Sequence, residues 1–99
     1  MKYSLHPDAL ADLRGAAEFY RDESGVDLAQ DFLDEFSRVI SMLLQYPDLG
    51  SAGVGGRRRF HFRRFPYIVM YFVVGDELRI LAIMHHGRRP GFGDDREWQ

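Results

Sequence analysis

Basic side chains that could bind negative charge are concentrated in the second half of the chain. The stretch RRRFHFRRFPY, residues 57–67, places five arginines within eight positions, and His85-His86 and Arg88-Arg89 follow further on. Arginine offers a planar fork of donors that matches carboxylate and phosphate, and histidine can exchange a proton near neutral pH. Two kinds of chemistry are therefore open, namely the binding of an acidic partner and the general acid–base cleavage of a phosphodiester.

The overall charge hides this concentration. The formal net charge is -2, but residues 1–50 carry 4 Lys or Arg against 10 Asp or Glu, whereas residues 51–99 carry 9 against 5. Between Arg57 and Arg89, 8 arginines accompany only two acidic residues. Such an asymmetry is typical of a protein with an anionic partner, although a GC-rich genome would also favour arginine codons.

Length and composition limit the classes of protein that this chain can belong to. Its 99 residues suffice for one core, so we predict a single domain over residues 1–99, with flexibility expected in the tail at 91–99. The chain has no cysteine, which excludes disulfides, thiolate nucleophiles and cysteine-bound zinc. It also has no apolar run of roughly 18 to 20 residues that could span a membrane. We expect a cytoplasmic protein without cofactor, metal or membrane contact.

The first half of the chain reads as a short strand followed by two helices. Lys2–Leu5 could form the strand, and residues 6–22 then have apolar residues at helical spacing after Pro7, a residue suited to a first helical turn. Residues 26–46 carry a wider apolar stripe and end before Pro47, which favours an extended conformation in the preceding residue. The glycine-rich residues 50–56 are expected to form a flexible loop.

From Arg57 onward the apolar spacing changes to every second residue, which predicts strands. Two-residue turns at Phe65-Pro66 and Gly75-Asp76 would give a three-stranded antiparallel meander. This register directs nine residues towards the helices: Phe60, Phe62, Val69, Tyr71, Val73, Leu78, Ile80, Ala82 and Met84. The opposite surface, the predicted binding face, then consists of Arg59, His61, Arg63, Ile68, Met70, Phe72, Arg79, Leu81, Ile83 and His85.

The predicted binding face has an apolar centre surrounded by basic residues. Large exposed apolar patches usually mark interaction sites, so another element should cover this centre. The tail at Gly91 to Gln99 offers only Phe92 and Trp98 as large apolar residues. A partner chain is therefore favoured over the tail as the covering element.

Several segments taken in order resemble one protein family. These are LHPDALADL, FLDEF with the later YPDLG, RRFHFRRFPYIVMYFV and ILAIMHHGRRPGF. With them the chain resembles RelE/ParE superfamily toxins of type II toxin–antitoxin systems, and it is more similar to ParE than to RelE. The resemblance implies an α+β fold in which two antiparallel helices pack on one face of a small antiparallel sheet, in the order β-α-α-β-β-β. The periodicity indicates the same fold independently.

The family resemblance also implies a function and partners. It implies a growth-inhibiting toxin, of the kind used in plasmid stabilization, that is neutralised by a cognate antitoxin. The antitoxin's acidic or amphipathic C-terminal segment would occupy the predicted binding face, where apolar burial gives affinity and arginines pair with carboxylates. ParE-like members inhibit DNA gyrase, RelE-like members cut mRNA on the ribosome, and a homodimer is compatible with either.

A RelE-like nuclease would place its basic catalytic groups at four positions of this chain, Arg59, His61, Arg88 and Arg89. Two features depart from that pattern. Ile68 stands where those nucleases carry an arginine, and their C-terminal tyrosine has no counterpart because Phe92 and Trp98 lack a hydroxyl group. A gyrase inhibitor is therefore the favoured reading, with a ribosome-dependent endonuclease or a degenerate non-toxic relative as alternatives.

Overall fold

A short strand and two helices open the fold, as predicted. The structure is a computed structural model that describes residues 1–98. Strand β1 spans Lys2–Leu5, helix α1 spans Pro7–Ser24 and helix α2 spans Val26–Gln45. The helices are joined by Gly25 alone, whose φ of +93° lies in a region that glycine tolerates best. This one-residue link turns the chain sharply into a helical hairpin.

The strands form one five-stranded sheet against which the helical hairpin packs. Strands β2 (Ser51–Ala52), β3 (Arg58–His61), β4 (Tyr67–Val74) and β5 (Glu77–His85) follow the helices. The strand order is β1-β5-β4-β3-β2. The predicted α+β fold is confirmed, with two refinements: β1 runs parallel to β5, so the sheet is mixed, and the predicted flexible loop contributes the short strand β2.

The register between β3 and β4 differs from the predicted one by two residues. Phe60 pairs with Val69 rather than with Tyr71, and residues 62–66 form a longer loop instead of a two-residue turn. Phe62 and Phe65 within this loop are buried in the core between helices and sheet. The prediction was wrong because these aromatic side chains and a helix contact, rather than local turn propensity, set the loop length.

The helix contact that holds this loop comes from Glu35 on α2. Its side chain is 9% exposed, and its oxygens accept two hydrogen bonds from Arg38 at 3.0 and 2.9 Å. One oxygen also accepts the backbone N–H groups of Arg63 at 2.7 Å and Arg64 at 3.2 Å. Chiefly through the Arg38 bonds, and despite burial, the pKa of Glu35 is lowered to about 2. The loop is therefore anchored by a carboxylate that stays charged at neutral pH.

A β-bulge interrupts the pairing between β4 and β5. Tyr71 lies opposite Ile80, whereas Met70 lies opposite Ala82, so Leu81 is an extra residue on β5. An inserted residue shifts every later side chain to the other face of the strand. A strict two-residue alternation could not show this insertion.

The bulge reverses four of the predicted side-chain directions. Ala82 and Met84 pack with Leu81 on the side away from the helices, although they were predicted to face them. Ile83 belongs to the core between helices and sheet, and His85 lies beside α1, although both were assigned to the predicted binding face. Those four assignments were wrong.

Candidate functional site

The apolar centre of the sheet surface away from the helices is covered by the chain's own tail. Met70 and Leu81 are 0% exposed there, and Phe92 and Trp98 of the tail pack against the same cluster. The expectation that a partner chain rather than the tail covers this centre is therefore contradicted. The tail, residues 91–98, can cover this centre because its backbone approaches the sheet closely at Gly93. A Cβ atom at position 93 would lie only 2.9 Å from the Cβ atom of Ala82.

Arg96 fixes the tail to α1 and to the sheet. Its guanidinium donates to both carboxylate oxygens of Asp12, at 2.6 and 3.1 Å, and to the carbonyl of Leu81 at 3.1 Å. Asp12 also accepts the N–H of Ile83 at 3.0 Å. Because β1 ends at Leu5, the outer edge of β5 beyond Ile80 has no strand partner among residues 1–98. The Asp12 and Arg96 side chains bond backbone groups that a longer β1 would otherwise have paired.

Two arginines of the basic stretch also bind the tail. Arg57 donates to the carbonyls of Asp94 and Arg96, the latter at 3.2 Å. Arg59 pairs with the Asp94 carboxylate at 3.1 Å, with both side chains about half exposed. The predicted acidic ligand of these arginines is thus the tail of the same chain.

Aromatic contacts hold the end of the tail in place. Trp98 meets the rings of His6 and Phe72 edge to face, each with a centroid distance of 5.9 Å. The Arg79 guanidinium lies 5.2 Å from the Trp98 ring centroid, a cation–π distance. His6 also forms a hydrogen bond with the carbonyl of Glu97 at 2.9 Å. Gln99, the last residue of the predicted tail, lies outside the described residues.

The basic stretch therefore has mainly structural partners. Besides the two arginines that bind the tail, Arg58 donates to the carbonyl of Gly50 at 2.7 Å, and Arg64 pairs with Asp31 at 3.1 Å. Within residues 1–98, the Arg63 side chain alone of these five arginines has no hydrogen bond or ion pair. Most of the local positive charge is thus compensated by the fold.

Uncompensated basic groups collect at one end of the sheet. The loop at 62–66 and the turn after β5 lie side by side there, since the His86 N–H donates to the carbonyl of Pro66 at 2.9 Å. We call the exposed basic side chains at this place the basic end: His61, Arg63, His86 and Arg88. None of them has a carboxylate partner among the residues that the structure describes. This end is where an acidic ligand would meet charges that are not already paired.

The four residues predicted for a nuclease are brought together only in part. Arg59 and His61 lie on the surface of β3 that faces away from the helices, and Arg59 is occupied by Asp94. Arg88 lines a cleft beside α1, whereas Arg89 borders a separate depression near His6. His61 and Arg88 thus share the basic end, whereas Arg59 is engaged by the tail and Arg89 borders a different depression.

Neither a metal centre nor a membrane span is found in the described part of the chain. Among residues 1–98 there is no group of three His, Cys, Asp or Glu side chains that could share a metal ion. No helix there combines the length and the apolar character needed to cross a bilayer.

The residues that hold the tail and the loop were not recognised from the sequence. Asp12 and Arg96 are 84 positions apart, and Glu35 lies 28 residues before Arg63. Such pairs leave no local spacing signal. A tail that contains an arginine and two aromatic residues was the available hint.

The helical hairpin packed on a five-stranded mixed sheet defines a small α+β fold in the part of the chain that the structure describes. A solved structure described as the chromosomal ParDE TA system from P. aeruginosa is similar, with a TM-score of 0.75 and 25% sequence identity over 86% of this chain and 95% of that one. Residues 3–90 match the family described as ParE toxin of type II toxin-antitoxin system, parDE. The chain belongs to the ParE toxin family. No curated protein sequence matches it.

Proposed function

We propose that this chain acts in the cytoplasm as a toxin that inhibits growth by binding a target protein. The expected target is DNA gyrase, and a cognate antitoxin neutralises the toxin. Membership of the ParE family over residues 3–90 carries the proposal. Two observations favour binding over RNA cleavage: Arg59 is paired with Asp94, and Arg88 and Arg89 line different depressions, whereas general acid–base catalysis needs its groups within reach of one substrate.

The antitoxin is proposed to contact the accessible basic groups of the sheet. Met70, Leu81 and Ile83 are buried and cannot contact a partner while the fold is intact. Of the remaining predicted contacts, His61 and Arg63 belong to the basic end and have no acidic partner within residues 1–98. An acidic antitoxin segment would pair with these groups through charge-assisted hydrogen bonds.

A gyrase supercoiling assay tests the proposed target. Purified toxin at micromolar concentration is expected to block supercoiling, and toxin premixed with an equimolar amount of antitoxin from the adjacent reading frame is expected not to. Undisturbed supercoiling by a preparation that arrests growth when expressed would contradict gyrase as the target. Toeprinting on translating ribosomes is the complementary experiment, since new 3′ ends at the ribosomal A site would favour the nuclease alternative.

A further inference from the structure

A cleft separates helix α1 from the end of strand β5. It has a volume of about 430 Å³, which lies within the range of small ligand pockets. Its apolar part includes Ala11, Gly15 and Ala16 of α1 together with Ile83 of β5. Gly15 leaves this space open, since a Cβ at that position would meet no atom within 4 Å. The cleft is therefore wide enough to accept a side chain of a partner.

Aromatic residues and one cation form the other end of the cleft. The Phe19 side chain is 54% exposed, and Tyr67 lies edge to face with His85 at a centroid distance of 5.4 Å. Burial raises the pKa of Tyr67 despite the nearby charge of Arg88, so the hydroxyl group stays protonated at neutral pH. Arg88 is among the residues that line the cleft, and its guanidinium lies 5.1 Å from the ring centroid of Phe92.

The charge around the cleft selects the kind of ligand. The single carboxylate in its wall, Asp12, is bonded to Arg96, so the available charge is that of Arg88. Beyond the cleft, the exposed surface of α1 carries three carboxylates, Glu18, Asp22 and Glu23, together with Arg14 and with Arg21, which pairs with Asp22 at 3.5 Å. This mixed surface does not extend the positive charge that a nucleic acid backbone, whose charge is uniformly negative, would require. A peptide with isolated carboxylates between apolar residues fits both the cleft and its surroundings.

We propose that the cleft between α1 and the end of β5 binds an apolar side chain that lies beside a carboxylate in an acidic segment of a partner protein. The apolar side chain enters over Gly15, and the carboxylate pairs with Arg88. This assignment rests on the proposed function, which supplies the antitoxin as the source of such a segment.

Gly15→Leu tests the site, because the added side chain would occupy the cleft in place of a partner side chain. Leucine favours a helix more than glycine does, and a Cβ at this position meets no atom within 4 Å, so the variant is expected to fold with an unchanged or higher melting temperature. Ser24→Leu adds the same side chain to an exposed position at the end of α1 and serves as the matched control. We expect Gly15→Leu to weaken antitoxin binding in calorimetry by about tenfold or more, and Ser24→Leu to bind like the wild type. Equal affinity of all three proteins would overturn the assignment.

A small probe tests the chemistry of the cleft separately from the antitoxin. N-acetyl-leucine, which combines an apolar side chain with a carboxylate, is expected to shift the backbone NMR signals of Gly15, Ile83 and Arg88 in the wild type. These shifts should be absent in Gly15→Leu and weaker with N-acetyl-leucine amide. No shift at about 10 mM probe, or tighter binding of uridine monophosphate in the same cleft, would refute the proposed ligand class. If N-acetyl-leucine binds but the antitoxin does not bind the wild type, the proposed function fails while the chemistry of the cleft stands.

Discussion

Replacing Arg96 by alanine should detach the tail from the sheet. The substitution removes two hydrogen bonds to Asp12 and one to the carbonyl of Leu81. Both charged side chains are only 14% exposed, so water replaces these bonds incompletely. Removing one partner of a fully buried pair costs about 3 to 5 kcal/mol, and the partial exposure together with the remaining bond from Ile83 to Asp12 reduces this to about 2 to 3 kcal/mol.

Trp98 reports the state of the tail directly. It is the one tryptophan of the sequence, and it packs between His6, Phe72 and Arg79. In Arg96→Ala its fluorescence emission should shift to longer wavelength in the native protein, because the indole becomes hydrated. A loss of about 2 kcal/mol in the free energy of unfolding should also lower the melting temperature by about 8 to 16 °C for a domain of this size.

A matched arginine provides the control for this experiment. Arg89 is exposed and has no hydrogen bond or ion pair from its side chain within residues 1–98, so Arg89→Ala should change the unfolding free energy by less than about 0.5 kcal/mol. A double-mutant cycle with Asp12→Ala should give a coupling energy of about 1 to 3 kcal/mol. If Arg96→Ala matched Arg89→Ala in urea unfolding and kept the wild-type Trp98 emission, the reasoning about the tail would be refuted.

Two further predictions concern the loops that border the sheet. The pKa of Glu35 is lowered to about 2, so its stabilisation is complete above the ordinary pKa of 4.5 and is lost as the pH falls from 4.5 towards 2. Glu35→Gln should therefore lower the free energy of unfolding in urea by roughly 3 kcal/mol at pH 7 and flatten its dependence on acid pH. An unchanged slope of the unfolding free energy below pH 4.5 would contradict this prediction. Gly50→Ala would place a Cβ 2.6 Å from the Tyr71 hydroxyl, which accepts the Gly50 N–H, and should lower the free energy of unfolding by about 1 to 3 kcal/mol. Gly15→Ala is the matched change in α1: its Cβ would meet no atom within 4 Å, so it should raise the free energy of unfolding by about 0.5 to 1 kcal/mol. A higher melting temperature for Gly50→Ala than for Gly15→Ala would refute this account.

The helical hairpin could be predicted closely because its signals are local. Pro7 at the start of α1, glycine between the helices and the proline after α2 mark the boundaries within one or two residues. Each of these signals depends on interactions within about one helical turn, which the sequence displays directly.

The candidate site was predicted less well, because its geometry depends on contacts between distant residues. The arginine stretch was recognised as the main chemical feature, but four of its five arginines bind groups elsewhere in the fold. The cleft beside α1 was not predicted at all. It depends on Gly15, on the bulge at Leu81 and on the turn that carries Arg88, and these features are brought together only by folding.

The sequence by itself determined the kind of fold and the family, since helix signals, strand alternation and motif order are all properties of neighbouring residues. Only the tertiary structure decided which face each residue of β5 occupies and which element covers the sheet. One extra residue at Leu81 reverses the direction of every side chain after it, and a pairing across 84 positions between Asp12 and Arg96 attaches the tail. Neither effect has a local signature, because each becomes favourable only when the distant partner is already in place.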